Sequence, residues 1–110
     1  MPFDPYNRTS ELNEAALTAM ADRLESRGRD PAFVRMLDDY LAAMDVGRLS
    51  LVLDVGCGTG VAARRLAQLG SFNGGIVGVD RSPDLIAVAR QQAAAEGIAD
   101  RIDYLLKRQG

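Results

Sequence analysis

Residues 51–60 read Leu-Val-Leu-Asp-Val-Gly-Cys-Gly-Thr-Gly, and this stretch decides the fold. Its first half is apolar except for Asp54, which predicts a strand of a parallel sheet that is covered on both faces. Gly56, Gly58 and Gly60 follow with small residues between them, and glycine both adopts positive φ and lets a ligand approach the main chain. A helix predicted to start after Gly60 would point its free N–H groups and positive dipole end at this turn. Strand, turn and helix together predict a cradle for an anionic or polar ligand.

Two nucleotide-binding motifs resemble this turn only in part. The dinucleotide motif Gly-x-Gly-x-x-Gly/Ala fits Gly56 and Gly58, but its third position is Val61, which is too large for close packing of helix on strand. The phosphate loop requires Lys directly after its last glycine, and no Lys follows Gly60. The remaining pattern is an acid followed by three alternating glycines.

A second apolar segment, residues 76–80, also ends in an acid, Asp80, which lies 20 positions after Gly60. In a βαβ unit, an acidic residue at this distance reaches ribose hydroxyls. A carboxylate has acceptor positions for both hydroxyls of a diol. The spacing therefore predicts that Asp80 binds a ribose.

The pattern of Asp54 and the three glycines closely resembles the first motif of class I S-adenosylmethionine-dependent methyltransferases. The sequence Gly-Val-Asp-Arg-Ser-Pro at residues 78–83 resembles the second motif of that family, and the resemblance extends from about Ser10 to the end of the chain. It implies S-adenosyl-L-methionine as cofactor and methyl transfer to a small-molecule acceptor. It also implies an α/β, Rossmann-like three-layer sandwich, here reduced to about three parallel strands in the order 3-2-1.

The same resemblance implies which residues bind the cofactor. Asp54 and the backbone of the glycine turn would face its methionine part, Asp80 would hold the ribose, and Arg81 would flank the adenine. The full predicted set is Asp54, Gly56, Cys57, Gly58, Thr59, Gly60, Asp80 and Arg81. The catalytic residues are unknown, because in this family they usually follow a fourth strand that has no counterpart here.

Composition excludes several other classes of function. Of the 110 residues, 47% are hydrophobic and 25% are charged, which is typical of one small globular domain. A net charge of −2 argues against a general nucleic-acid or membrane surface. The single cysteine, Cys57, cannot form an internal disulfide, so we expect a cytoplasmic protein. Without histidine, zinc sites and His-based triads are excluded, and no metal is expected.

Two helices are predicted before the first strand, after a loose arm at residues 1–9. The first would begin near Ser10, bury a stripe at every fourth residue and end at Gly28. That stripe comprises Leu12, Ala16, Met20 and Leu24, and the outer face with Glu25 is expected to be solvated. The second would begin at Asp30-Pro31, end by Gly47 and pack its apolar stripe on the sheet. That second stripe comprises Phe33, Met36, Leu37, Tyr40, Leu41 and Met44.

The rest of the domain, assigned to residues 10–110, alternates helices and strands. The helix after the glycine turn should end near Gly70, with Arg64 and Arg65 on a solvated face. Ser82 and the proline after it should cap the next helix, which ends at Gly97. Alternation of apolar residues then predicts a third strand at residues 102–106.

Three interpretations remain open. The first is the cofactor-binding portion of a small-molecule methyltransferase, truncated in this chain, which alone would bind the cofactor weakly and transfer no methyl group. The second is a non-catalytic module that binds cofactor weakly or not at all and acts by association. The third is a nicotinamide-binding unit, which Val61 disfavours.

The predicted topology also leaves surface that needs a partner. Right-handed crossovers place both crossover helices on one face of the sheet, and strand 1 has one edge without a neighbour. We therefore expect a homodimer formed through strand 1 or through the exposed face of the sheet.

Overall fold

The computed structural model describes residues 14–107, which form one three-stranded sheet with four α-helices. The helices are α1 (Glu14–Arg29), α2 (Pro31–Ala43), α3 (Val61–Gln68) and α4 (Pro83–Ala95). The strands are β1 (Leu51–Val55), β2 (Gly75–Asp80) and β3 (Ile102–Leu106). Short 3-10 turns at Val46–Arg48 and Ala99–Arg101 precede β1 and β3.

The sheet is fully parallel and has the order β1-β2-β3, as predicted. Val52 pairs with Ile76, and Ile76 pairs with Ile102, so these three side chains share one face. The register brings the carboxyl ends of β1 and β2 to the same edge, with Val55 opposite Val79. The two predicted acids therefore lie at neighbouring strand ends.

All four helices lie on the same side of the sheet. Helices α3 and α4 cover β2 and β3, α1 packs across α2, α3 and α4, and Leu41 of α2 enters the same core. Ile76 and Ile86 of this core are 2% exposed. The core also contains Phe72, from the loop before β2, which the apolar periodicity had not marked as buried. We call this side of the sheet the covered face.

The prediction that both faces of β1 are covered is wrong. Leu51, Leu53 and Val55 are 61%, 58% and 72% exposed, and they share a face with Leu105 of β3. We call the surface formed by these four residues the open face. It is bare among the described residues because both leading helices, like both crossover helices, pack on the covered face.

The predicted helix caps are confirmed, whereas the predicted buried stripes of the leading helices are confirmed only in part, with Leu41 in the core and Leu37 packed against it. Asp30 caps α2 by accepting from Ala32 N at 2.8 Å, and Ser82 caps α4 by accepting from Leu85 N at 3.2 Å. Gly97, with φ of 75°, follows the end of α4. In α1 the buried residues are Leu17 and Ala21, whereas Ala16 is exposed; in α2, Met36, Tyr40 and Met44 are exposed rather than packed on the sheet.

Gly28 does not end α1, which continues through Arg29. An added Cβ at Gly28 would lie 2.7 Å from Cγ1 of Val61, so this glycine allows α1 to pack closely against the start of α3. The predicted helix start at Ser10, its stripe residue Leu12 and the arm at residues 1–9 lie outside the described residues. No helix in the part of the chain that the structure describes is long and apolar enough to span a membrane.

Candidate functional site

The three glycines of the turn all adopt the conformation that favours glycine. Their φ values are 71° at Gly56, 57° at Gly58 and 84° at Gly60. An L residue in this left-handed region costs roughly 1–2 kcal/mol. The alternating glycines are therefore needed for the path of the backbone between β1 and α3.

The N–H groups of this turn are largely engaged within the protein. Gly56 and Cys57 donate to the carbonyl of Val79 at 2.7 and 3.0 Å, and Gly60 donates to the carbonyl of Cys57 at 2.9 Å. Donors that already have partners are poorly placed to bind a phosphate. The predicted cradle for an anion is therefore not what this geometry favours.

Asp80 accepts two further N–H groups at the same edge. Its Oδ2 accepts from Gly58 N, its Oδ1 accepts from Ser82 N, and both distances are 2.9 Å. A carboxylate has about four acceptor positions, and these backbone groups use two of them. The half-buried Asp80 thus joins the glycine turn to the loop after β2.

Asp54 lies near Asp80, at the end of the neighbouring strand. Burial, followed by the negative charge of Asp80, raises the pKa of the Asp54 carboxyl above its ordinary value. Both causes disfavour a second negative charge at this edge. A cationic ligand group beside Asp54 would relieve them.

Beneath the turn, Tyr104 fills the space that glycines leave. A Cβ at Gly60 would lie 3.0 Å from Cζ of Tyr104 and closer still to its hydroxyl oxygen, and a Cβ at Gly78 would lie 2.8 Å from Cδ1 of the same ring. Burial raises the pKa of Tyr104 to about 12 and, together with Asp54 and Asp80, raises the pKa of Cys57 to about 12. Cys57 is thus a neutral thiol packed near Gly78 rather than a nucleophile.

The remaining predicted residues differ in position. The Thr59 side chain is buried and its hydroxyl donates to Oε2 of Glu25 at 2.5 Å, so it points away from the strand ends. A cofactor contact by Thr59 can therefore involve only its main chain. Arg81 directly follows Asp80 and is exposed. The structure therefore brings Asp54, Asp80 and the glycine turn together, with Arg81 next to them in the chain.

Sequence interpretation missed Glu25, Arg64 and Tyr104, all of which support the turn. The solvated faces assigned to Glu25 and Arg64 are wrong, because the two side chains form a buried ion pair of 2.6 Å. Arg64 lies on the same side of α3 as Gly60, four positions before it, and Ala67, three positions after it. Both of these small residues are buried, and their spacing is the sequence signal that Arg64 is buried too. Arg65 is half-buried and pairs with Asp38 at 2.7 Å, so it too is not simply solvated.

The chain is similar to known proteins both in sequence and in structure. A family model described as a methyltransferase domain matches residues 49–103, half of the chain. A ubiquinone biosynthesis O-methyltransferase from Sinorhizobium medicae is 30% identical over 104 residues, covering 94% of this chain and 36% of the relative. The chain thus spans about a third of the length of this curated relative.

Two solved structures show a similar arrangement. An RNA methyltransferase from Salinibacter ruber, in complex with S-adenosyl-L-homocysteine, is 28% identical with a TM-score of 0.57, covering 67% of this chain and 47% of that one. The [4+2]-cyclase SpnF is 32% identical with a TM-score of 0.59, covering 73% of this chain and 30% of that one. The region matched by the family model includes β1, the glycine turn, β2 and the start of β3.

Proposed function

Because the chain belongs to the class I S-adenosylmethionine-dependent methyltransferases, we propose that Asp54, the glycine turn and Asp80 bind the cofactor of a small-molecule methyltransferase. The family's cofactor is S-adenosyl-L-methionine, which supplies an electrophilic methyl group on a sulfonium when bound. The chain would contribute the cofactor-binding portion, and the acceptor would be placed by residues outside the described strands.

Each residue has a distinct task in this proposal. Asp54 neutralises the ammonium of the cofactor's methionine part, while the backbone of Gly56, Gly58 and Gly60 lets that part approach closely. Asp80 accepts from the ribose hydroxyls, and Arg81 flanks the adenine. Holding the methyl donor in a fixed position is itself a large part of catalysis by proximity, which requires no nucleophilic side chain.

The observation that carries the proposal is the pair of carboxylates beside a turn whose N–H groups are used internally. Asp54 and Asp80 favour a ligand with a cation and a diol, both of which S-adenosylmethionine has. A nicotinamide dinucleotide also has ribose diols, but its pyrophosphate needs free N–H groups at the helix start. In the glycine turn that precedes this helix start, Gly56, Cys57 and Gly60 donate to carbonyls, so these three N–H groups are not available to a pyrophosphate.

Calorimetric titration of the purified chain with S-adenosylhomocysteine and, separately, with NAD tests this proposal. Binding of S-adenosylhomocysteine alone is expected, and the Asp80→Ala variant should weaken it at least tenfold, since charge-assisted hydrogen bonds of roughly 1.5–3 kcal/mol each are lost. Asp103→Ala, an exposed acid on β3, is the control and should bind as the wild type does. Tighter binding of NAD, or equal affinity of Asp80→Ala, would contradict the proposal.

The acceptor is inferred from the charge of the chain, separately from the cofactor. The similar proteins carry names that specify ubiquinone biosynthesis, RNA and a [4+2] cyclisation, so the shared fold does not determine the acceptor or even methyl transfer. We favour a small molecule because the net charge of −2 is unsuited to a polyanion. Labelled cofactor offered with small acceptors, RNA or protein separates these classes; this chain alone is expected to transfer no methyl group.

The alternative function, association without catalysis, has one specific observation in its favour. Leu51, Leu53, Val55 and Leu105 form an apolar surface, and contiguous exposed patches of this kind mark interaction sites. Among the described strands, β1 has a neighbour on one side only, and its other edge, beside this patch, would present unpaired backbone groups. A second copy of the chain is the proposed partner, through β1 or the open face.

Leu53→Lys tests this dimer. Val52 is a poorer choice, because it packs against the core on the covered face and a lysine there would disturb folding itself. Light scattering at micromolar concentration should give a dimer for the wild type and a monomer for Leu53→Lys, whereas the control Ala87→Lys, at an exposed position of α4, should remain a dimer. A monomeric wild type with a cooperative melt would contradict the dimer.

A further inference from the structure

A buried group of charged side chains lies behind the glycine turn. The Arg64 side chain is 8% exposed, and its Nη2 donates to both carboxylate oxygens of Glu25 at 2.6 Å. Its Nη1 pairs with Glu96, which directly follows α4. This group connects α1, α3 and the end of α4, because its three charges come from α1, α3 and the residue that caps α4.

The group reaches the turn through one residue. Oε2 of Glu25 accepts from Arg64 and also from the hydroxyl of Thr59, which is 2.5 Å away. Thr59 is 1% exposed and stands between Gly58 and Gly60, both of which have positive φ. It is the side chain that fixes the part of the turn with the most conformational freedom.

The turn is therefore held by carboxylates from two directions. On the ligand side, Asp80 accepts the N–H of Gly58 at 2.9 Å. From α1, Glu25 accepts the hydroxyl of Thr59, the next residue in the chain. Adjacent residues are thus tied to β2 and to α1, which limits how the peptide between them rotates.

We propose that Glu25 is a positioning residue for the cofactor-binding turn and acts on it through Thr59. Helix α1 thereby contributes to cofactor affinity without contacting the ligand. The proposal rests on the cofactor-binding function above and extends it to a helix whose charged residues would otherwise be ordinary surface.

Thr59→Val and Thr59→Ser separate positioning from simple stabilisation. Valine keeps the shape and loses the hydroxyl, whereas serine retains it. Thr59→Val loses the hydrogen bond to Glu25. If the turn then has its binding conformation in about a tenth of the molecules, the apparent Kd for S-adenosylhomocysteine rises about tenfold. Thr59→Ser should restore the wild-type Kd, with every titration made where the variants are fully folded.

Asp38→Asn is the matched control. Asp38 pairs with Arg65 at 2.7 Å and so also joins a leading helix to α3, but it does not contact the turn. Its loss should lower the melting temperature and leave the Kd unchanged. Glu25→Gln should raise the Kd as Thr59→Val does. The neutral amide pairs with Arg64 less strongly than the carboxylate, so the side chain that accepts from Thr59 is held less firmly.

Hydrogen exchange in the ligand-free protein gives a second readout. The amides of Gly58 and Gly60 are hydrogen-bonded, so their exchange reports opening of the turn. Faster exchange in Thr59→Val, but not in Asp38→Asn, is expected. Unchanged exchange and an unchanged Kd in Thr59→Val would overturn the positioning role. A wild type that fails to bind S-adenosylhomocysteine contradicts the cofactor proposal instead, and the exchange data then decide whether the turn is held by Glu25.

Discussion

The two faces of the sheet are built from similar residues, yet only one is buried. On the covered face, Ile76, Ile102 and Tyr104 are at most 5% exposed, whereas Leu53 and Val55 on the open face are more than half exposed. Strand residues alternate between faces, so apolar character at nearly every position shows that both faces suit burial. The helices, and not the strands, decide which face is covered, and the handedness of the crossovers puts α3 and α4 on the same side.

The largest contrast should appear when a large side chain is truncated on each face. Ile76→Ala removes a side chain that is 2% exposed and should lower the free energy of unfolding by about 3–4 kcal/mol. Leu53→Ala, on the adjacent strand, should cost about 0.5 kcal/mol, as surface substitutions do. Urea unfolding at low protein concentration measures both, and equal losses would mean that the open face is buried in solution.

The glycine turn offers the next contrast, because its glycines face different surroundings. Gly60→Ala combines a positive φ with a collision against Tyr104 on the covered face and should cost about 2–3 kcal/mol. Gly56→Ala has the same strain but nothing within 4 Å of the new Cβ, so about 1 kcal/mol is expected. Thermal unfolding of the two variants in parallel is sufficient, and a Gly56 variant as unstable as the Gly60 variant would contradict this difference.

A smaller effect with a defined pH dependence is expected at Asp54. Its pKa is raised in the folded protein, so the folded state holds the proton more tightly than the unfolded state does. The native carboxyl therefore favours folding at acid pH and loses this contribution as pH rises through the raised pKa. Asp54→Asn should be more stable than the wild type near neutral pH, and the difference should shrink toward about pH 4, the ordinary value for aspartate. Chemical denaturation across this range checks the sign; a variant less stable than the wild type at pH 7 would refute it.

The smallest effect is expected where the covered face has an imperfection. Among the described residues, the buried hydroxyl of Tyr104 has no hydrogen-bond partner. A buried hydroxyl without a partner destabilises the folded state, because it has lost its hydrogen bonds to water. Tyr104→Phe removes this cost and should raise the free energy of unfolding by about 1 kcal/mol. A stability loss in urea unfolding would instead show that the hydroxyl is bonded in solution.

The strands, the caps and the strand order could be predicted because their signals are local or belong to a family motif. β1 and β3 have the predicted bounds, and Asp30 and Ser82 begin helices as expected. Asp54 and Asp80 could be placed at neighbouring strand ends because parallel strands align their carboxyl ends. The assignment of all eight predicted residues to cofactor binding remains a prediction.

What could not be predicted depends on partners far apart in the chain. A charged side chain is expected in solvent because burial is costly unless it is paired. Arg64 and Glu25 are paired, but they lie 39 positions apart on different helices, so no spacing indicates their contact. Met36 and Tyr40 are the converse case. Their apolar stripe predicts burial, but no described element covers it.

The close approach of Gly28 to Val61 alters what the glycine-rich motif means. Val61 is a large residue at a position where dinucleotide-binding proteins use a small one. In this molecule the space comes from the other side of the contact, since Gly28 of α1 leaves room for the valine methyl groups. The size of the residue allowed at position 61 thus depends on two helices, because the glycine that makes room for Val61 lies 33 positions earlier in the chain. Any exchange of this turn into another protein of the same fold would have to carry α1 with it.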